Sequence, residues 1–439
     1  MKKSVIVLTS MLLLSMLALS ACGSSGSGNS GNNGGNAAAG KDNGSEQQTA
    51  GGSSQEPVTI RFATWDTGQS LQFEQEVAKQ FEQKHPNIKV QVEPYGDGFD
   101  QKMSAGFGAG DPPDVMYMYN FPTYKESLEP LDSYIEKDAD LNIDDFYPGL
   151  LNYDRIDGVT YGLPVGFTTR VVYYNKKLFD EAGVAYPQDG WTWDDLKQMA
   201  VKLTDKSKKQ YGIGMRASVD VYGLQGTVWS NGGSYVSDDG KQIDGYMNGK
   251  ETVEALETQS NAIKDGYGVL VGGKNQQSGD DIFKAGKIAM WETGLWPLQG
   301  FKDANMDFGT VVTPAFGDKP LKGVINESAI SIAKDSKHKE EAWEFLKFFV
   351  SPESIKIRTA DLPVRSSTAK EMNLSEDPLY KPFYTMLDRS TNIPAFLLNP
   401  KWDQIDSNLA TAVEAIMLGN DAQDAMDQAV KDSEKYLNH

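Results

Sequence analysis

Between residues 58 and 92 the apolar side chains change their spacing twice, and this limits the folds open to the chain more than any other feature. Val58, Ile60 and Phe62 alternate with their neighbours, the two-residue period of a strand covered on one face by a core. Phe73, Val77 and Phe81 then recur every fourth residue, which places them on one side of a helix; Ser70 reads as its N-cap and Lys84-His85-Pro86 as its stop. Ile88, Val90 and Val92 alternate again. Strand, helix and strand in so short a span form the unit of a parallel α/β sheet. The alternation continues with strand-like runs at 115–119, 171–174 and 329–333. A helix is predicted over 340–350, with Ala342, Leu346, Phe349 and Val350 inward. Near the end, Ile405, Leu409, Val413 and Ile416 form a helical stripe, Gly419 caps it, and a second helix starts from Asp421. No repeat of 20 to 50 residues is present, which excludes a solenoid or a propeller.

The N-terminal region has different physics. Lys2 and Lys3 precede an apolar run from Val5 to Leu19 that is short for a bilayer span, so residues 1–21 read as a signal peptide. The run closes in LSAC at 19–22, which resembles a bacterial lipobox. Cys22 is the only cysteine, without a possible disulfide partner in the chain, and lipid attachment to it is the expected use. Of the 34 residues from 23 to 56, 22 are Gly, Ser or Asn, too few apolar groups to offset the entropy of folding. Residues 22–56 are therefore expected to be a tether, spanning roughly 30 to 35 Å as a flexible coil. Residues 57–439 exceed what one core usually holds, so two domains are expected. The net charge of −19, or −21 without Lys2 and Lys3, argues against nucleic acid as a partner, because a phosphate backbone requires clustered Lys and Arg.

Several segments, in order, carry a resemblance: AGDPPDV at 109–115, YGLP at 161–164, YYNKKLFDEAG at 173–183, TWDDL at 192–196, WSNGG at 229–233, FKAGKIAM at 283–290, and AWEFL at 342–346 with SPE at 351–353. Together they resemble the extracellular solute-binding proteins that serve ABC importers for sugars, the group that includes maltodextrin-binding protein. The resemblance implies an α/β, two-lobed periplasmic-binding-protein-like fold of type II, with three inter-lobe crossings. Those crossings are expected near Pro164–Phe167, Val311–Pro314 and Leu362–Pro363. Lobe 1 is then 57–166 plus 312–362, and lobe 2 is 167–311 plus 363–439. The implied function is a monomeric, lipid-anchored receptor on the extracellular face of a bacterial membrane. It captures a sugar or oligosaccharide between the lobes and passes it to the permease subunits of an ABC importer.

A sugar offers apolar C–H faces that stack on aromatic rings and hydroxyls that need both donors and acceptors. The family pattern places Trp65 and Asp66 after the first strand, Tyr119 and Asn120 after the strand that follows Asp114, and Trp229 with Asn231 in the second lobe. Trp296 belongs there too, and Trp229 and Trp296, in glycine-bearing surroundings, are the expected stacking platforms. Glu292 is a candidate if its strand turns it toward the cleft. Where maltodextrin-binding protein has an acidic residue in its first crossing, this chain has Phe167-Thr168-Thr169-Arg170, so Phe167 and Arg170 are candidates for a different ligand. Arg170 and Arg365 each serve equally well as salt-bridge partners, Asp114 reads as a brace, and Trp193 and Trp343 as core. No cofactor or metal is expected: His85, His338 and His439 are scattered, and the loose glycine pattern of Gly212-Ile213-Gly214 lacks a helix opening. A non-sugar solute such as a polyamine or peptide is the alternative ligand, and a secreted glycoside-acting enzyme the alternative class. Without a nucleophile elbow or a defined carboxylate pair, the chain is read as not an enzyme.

Overall fold

The computed structural model describes residues 57–216, 221–272 and 277–437. Cys22, the signal segment and the tether lie outside them. The strands, in chain order, are β1 (Val58–Thr64), β2 (Ile88–Pro94), β3 (Val115–Met118), β4 (Arg155–Ile156), β5 (Val159–Thr160) and β6 (Leu163–Thr169). They continue with β7 (Val171–Asn175), β8 (Tyr211–Arg216), β9 (Gly268–Val271), β10 (Ile288–Thr293), β11 (Phe308–Val311) and β12 (Ile325–Ile332). Two five-stranded sheets result, ordered β2-β1-β3-β12-β6 and β11-β7-β10-β8-β9, each flanked by helices. The short hairpin β4-β5 turns at Asp157-Gly158, both at positive φ, as a tight two-residue turn requires.

β1 runs parallel to β2 and β3, while β12 runs antiparallel to both β3 and β6. Antiparallel insertion places the beginning of β12 beside the carboxyl ends of β1 and β3, since Ala329 pairs with Met118, the last residue of β3. The strand predicted over 329–333 is therefore longer than its apolar part. Its first residues, Asn326, Glu327 and Ser328, are polar because the core does not take them.

The chain passes from the first sheet to the second between Thr169 and Val171. This is a few residues beyond the expected Pro164–Phe167, because Phe167 and Thr168 still pair with β12. The return lies between Val311 and Ile325. Near Leu362 the chain remains with the first lobe: Phe167 bridges Leu362, and Ser366 and Ser367 both donate to Asp145. The helix Lys381–Asp388 then packs on β6 and β7 at the junction.

The first helix, Gly68–Lys84, buries Val77 and Phe81 on the face the periodicity predicted. Its N-cap is Thr67 rather than Ser70, which falls inside the first turn because the turn at Thr67-Gly68 feeds directly into the helix. Several of the family-like segments are punctuation of the same kind. In TWDDL, Thr192 and Asp195 form a reciprocal capping box, and in SPE, the Ser351 hydroxyl caps Ser354 N–H with Pro352 in the first turn. The helix Trp402–Met417 buries Ile405, Leu409, Val413 and Ile416, each contributing about 1.5 to 3 kcal/mol relative to exposure. With Ala422–Ser433 it forms a second, smaller apolar cluster against Lys250–Lys264.

Gly212 and Gly214 sit within β8, and the reason is packing. A Cβ on Gly212 would lie 2.3 Å from the Ala200 backbone, so the helix Trp193–Leu203 lies directly on the strand there. Gly212→Ala should therefore cost about 1 to 3 kcal/mol through overpacking. Guanidinium unfolding measures it, and an unchanged midpoint would mean that the helix retreats without cost.

Candidate functional site

A cavity of about 440 Å³ opens at the carboxyl edge of the first sheet. Such edges hold ligands in open α/β folds because loops leave the strands there with free backbone and side-chain groups. Trp65 follows β1, Tyr119 and Asn120 follow β3, and Asn326 and Glu327 open β12. Tyr153 and Asp154, just before the β4-β5 hairpin, complete the first lobe's wall. The facing wall comes from second-lobe helices: Tyr222 in Val221–Ser230, Phe396 in Ala395–Leu398, and Trp402, Asp403 and Asp406 in Trp402–Met417. The lobes meet at one end, where the Tyr222 hydroxyl donates to the Ile325 carbonyl and its ring packs edge-on against Phe396 at 5.5 Å.

The rings are fixed by their neighbours. Trp65 packs against Phe99, Tyr117 and Tyr119 at centroid distances of 5.0, 4.8 and 6.0 Å. Tyr119 is 41% exposed and donates its hydroxyl to Asp100 at 3.1 Å. Trp402 lies nearly parallel to Tyr235 and donates its indole N–H to Asp406 at 3.2 Å. Aromatic faces held this firmly lose little entropy when a ligand stacks on them.

Two buried acid clusters support the floor. Asp154 and Glu327 are electrostatic neighbours, and burial, their largest influence, holds both well above the usual carboxylate range. Beneath Trp65, the Asp66 N–H donates to the Thr64 hydroxyl, which donates to Glu74, itself completely buried. Burial pushes Glu74 up to about 8, and the neighbouring Asp66 adds to the effect. Asp66 is raised as well, chiefly by its own burial.

Trp65, Tyr119 and Asn120, among the residues singled out from sequence, come together in this cavity, with Asp66 immediately behind. Trp229, Asn231 and Phe167 do not. Trp229 lies in the last turn of Val221–Ser230 and is buried; the glycines read as a turn around it, Gly232 and Gly233, only terminate that helix. Asn231 is a brace, donating to the Glu251 carbonyl and accepting from Lys319 at 2.6 Å. Phe167 packs inward against Tyr147 and Tyr384. Arg170 and Glu292 line a separate, much smaller cavity. The Arg170 guanidinium lies 4.9 Å from the centre of the Trp296 ring, and Trp296 itself is 52% exposed, outside the main cavity lining. Asp114 accepts from Arg61 N–H and Ser336, and buried Arg365 donates to the carbonyls of Val350, Leu141 and Asn142. Both are structural.

Sequence reasoning missed Asp154, Tyr222, Glu327, Phe396, Trp402, Asp403 and Asp406. One local signal existed: Trp402, Asp403 and Asp406 cluster at a helix start, where Trp402 and Asp406 share a face one turn apart.

Two α/β lobes with an aromatic, acceptor-lined cleft between them make a periplasmic-binding-protein-like fold of type II. The chain belongs to the bacterial extracellular solute-binding protein family, whose model matches residues 65–356. It is similar to the maltotriose-binding protein of Pyrococcus abyssi, 26% identical over 362 residues covering 79% of this chain and 75% of that one. The galactooligosaccharide-binding protein of Bacillus subtilis is 24% identical over 416 residues, covering 90% and 92%. Among solved structures, an ABC substrate-binding protein of Listeria monocytogenes in complex with cycloalternan aligns with a TM-score of 0.75 at 27% identity, covering 87% of this chain and 99% of that one.

Glu74 generates a pH prediction. A carboxyl raised from about 4.5 to about 8 holds in the folded state a proton that the unfolded chain releases. Its stabilisation is therefore complete below pH 4.5 and is lost as pH rises through 8. Denaturant midpoints should fall between pH 5.5 and 8.5, and Glu74→Gln should flatten that fall; an identical slope in the variant would place the titration elsewhere.

Proposed function

We propose that this chain is a monomeric receptor, held by a lipid on Cys22 to the outer face of a bacterial membrane. It captures a sugar or oligosaccharide between its lobes and delivers it to the permease subunits of an ABC importer. The observation that carries this reading is the cleft lining: rings from both lobes, Trp65 and Tyr119 opposite Tyr222 and Trp402, beside the acceptors Asn120, Asn326, Glu327 and Asp403. Stacking surfaces with interspersed carboxylate and amide groups match the two surfaces of a pyranose. The relatives named for maltotriose and galactooligosaccharide support the same ligand class.

The lobes act as a hinge, with crossings at Arg170, between Val311 and Ile325, and between Ser367 and Lys381. Ligand bridging both walls favours the closed arrangement, because only that arrangement offers both sets of contacts. Capture rather than turnover fits the relatives, which are binding proteins.

Thermal-shift screening against sugars, polyamines and peptides, with product analysis on glycosides, tests the reading. Stabilisation by carbohydrate without turnover is expected; a polyamine or peptide response alone would move the ligand class, and glycoside cleavage would replace the receptor by an enzyme. Trp402→Ala should weaken the best sugar more than tenfold in titration calorimetry with folding retained, and unchanged affinity would remove that ring from the site. Cys22→Ala should release intact, ligand-binding protein into the medium, whereas retention at the membrane would overturn the anchor.

A further inference from the structure

The cleft holds more carboxyl groups than a neutral sugar needs. Asp154, Glu327, Asp403 and Asp406 line it, and none of the described lining residues is Lys or Arg. Asp154 is completely buried, and all four carboxyl oxygens of Asp154 and Glu327 are closed to solvent. No described residue donates to them. The Oδ1 of Asn326, adjacent in the chain, also lacks a donor. A carboxyl pair that only filled space would have its lone pairs met by backbone N–H groups, because an unmet buried acceptor forfeits the bonds water gave it. Here the two residues that carry those acceptors line a 440 Å³ cavity.

Two neighbouring carboxyls removed from water do not both ionise unless positive charge is placed between them. An ammonium supplies it: it brings three donors and a full charge, and it compensates buried carboxylates that are costly alone. The rings that line the same cavity, Trp65, Tyr153, Tyr222 and Trp402, present negative faces of the kind that attract a cation within about 6 Å. We propose that the ligand is an amino sugar, whose protonated amine is seated at the Asp154–Glu327 pair while its ring stacks on the aromatic walls. This inference rests on the reading of the cleft as a sugar site and narrows it to carbohydrates that carry a free amine.

Titration calorimetry of the full chain at pH 7 compares matched ligands. The probes are glucosamine, galactosamine and mannosamine against glucose, galactose and mannose, and glucosamine oligomers against gluco-oligosaccharides of equal linkage and length. Spermidine serves as an amine without a sugar. At least one amino sugar should bind tenfold or more tighter than its neutral counterpart, and Asp154→Asn and Glu327→Gln should reduce that ratio to below threefold. If every neutral sugar binds as tightly as its amino counterpart, the amine assignment falls while the sugar receptor stands. Binding of neither kind, or spermidine binding tighter than every amino sugar, overturns both. The wild-type ratios decide the matter even if a variant fails to fold, which thermal melts of each variant reveal.

Discussion

The site depends on one strand running the wrong way. β12 enters the first sheet between β3 and β6 antiparallel to both, after the chain has built most of the second lobe. In a wholly parallel sheet the carboxyl edge receives only strand ends. Here it also receives a strand beginning, so Asn326 and Glu327 stand beside Trp65 and Tyr119 on the floor of the cleft. The reversal also ties the two lobes into one mechanism, because the strand completing the first sheet can be placed only after the chain has returned from the second. Neither lobe is a continuous stretch of sequence, and the segments joining them are where a hinge has to bend.

The floor is unusual in its electrostatics. Glu74 and the Asp154–Glu327 pair are removed from water with no ion pair to a Lys or Arg among the described residues, and burial raises all three above the ordinary carboxylate range. The fold accepts a cost in stability at neutral and alkaline pH in exchange for acceptors with unmet bonding capacity at the cleft. Rigid aromatic walls complement this: their stacking on Phe99, Tyr117 and Tyr235 is already in place, so ligand binding need not order them.

Much of the fold was legible because periodicity and capping are local. The alternation from Val58 to Val92, the stripe from Ile405 to Ile416 and the cap at Asp421 each follow from the residue's own neighbours, and the structure contains them. The segments that carried the family resemblance are largely of this kind, such as the capping box at Thr192 and Asp195 or the positive-φ turns at Gly183 and Gly286. They specify where helices start and stop. They say little about the ligand, which explains why WSNGG, a strong resemblance signal, contains the buried Trp229 and the bracing Asn231 rather than a stacking platform.

By itself, then, the sequence determined the α/β class, the order of most elements, the two-lobed organisation through its resemblance, and the residues that follow β1 and β3. Tertiary structure decided the rest of the cleft. Asp154 and Glu327 lie 173 positions apart in the numbering and line one cavity only because β12 inserts into the first sheet. Trp402 reads as one more apolar residue in an amphipathic helix until the second lobe places it opposite Trp65. The physical reason is the same in each case: a helix or a strand is set by neighbours a few residues away, whereas a cleft is set by which surfaces the crossings bring face to face.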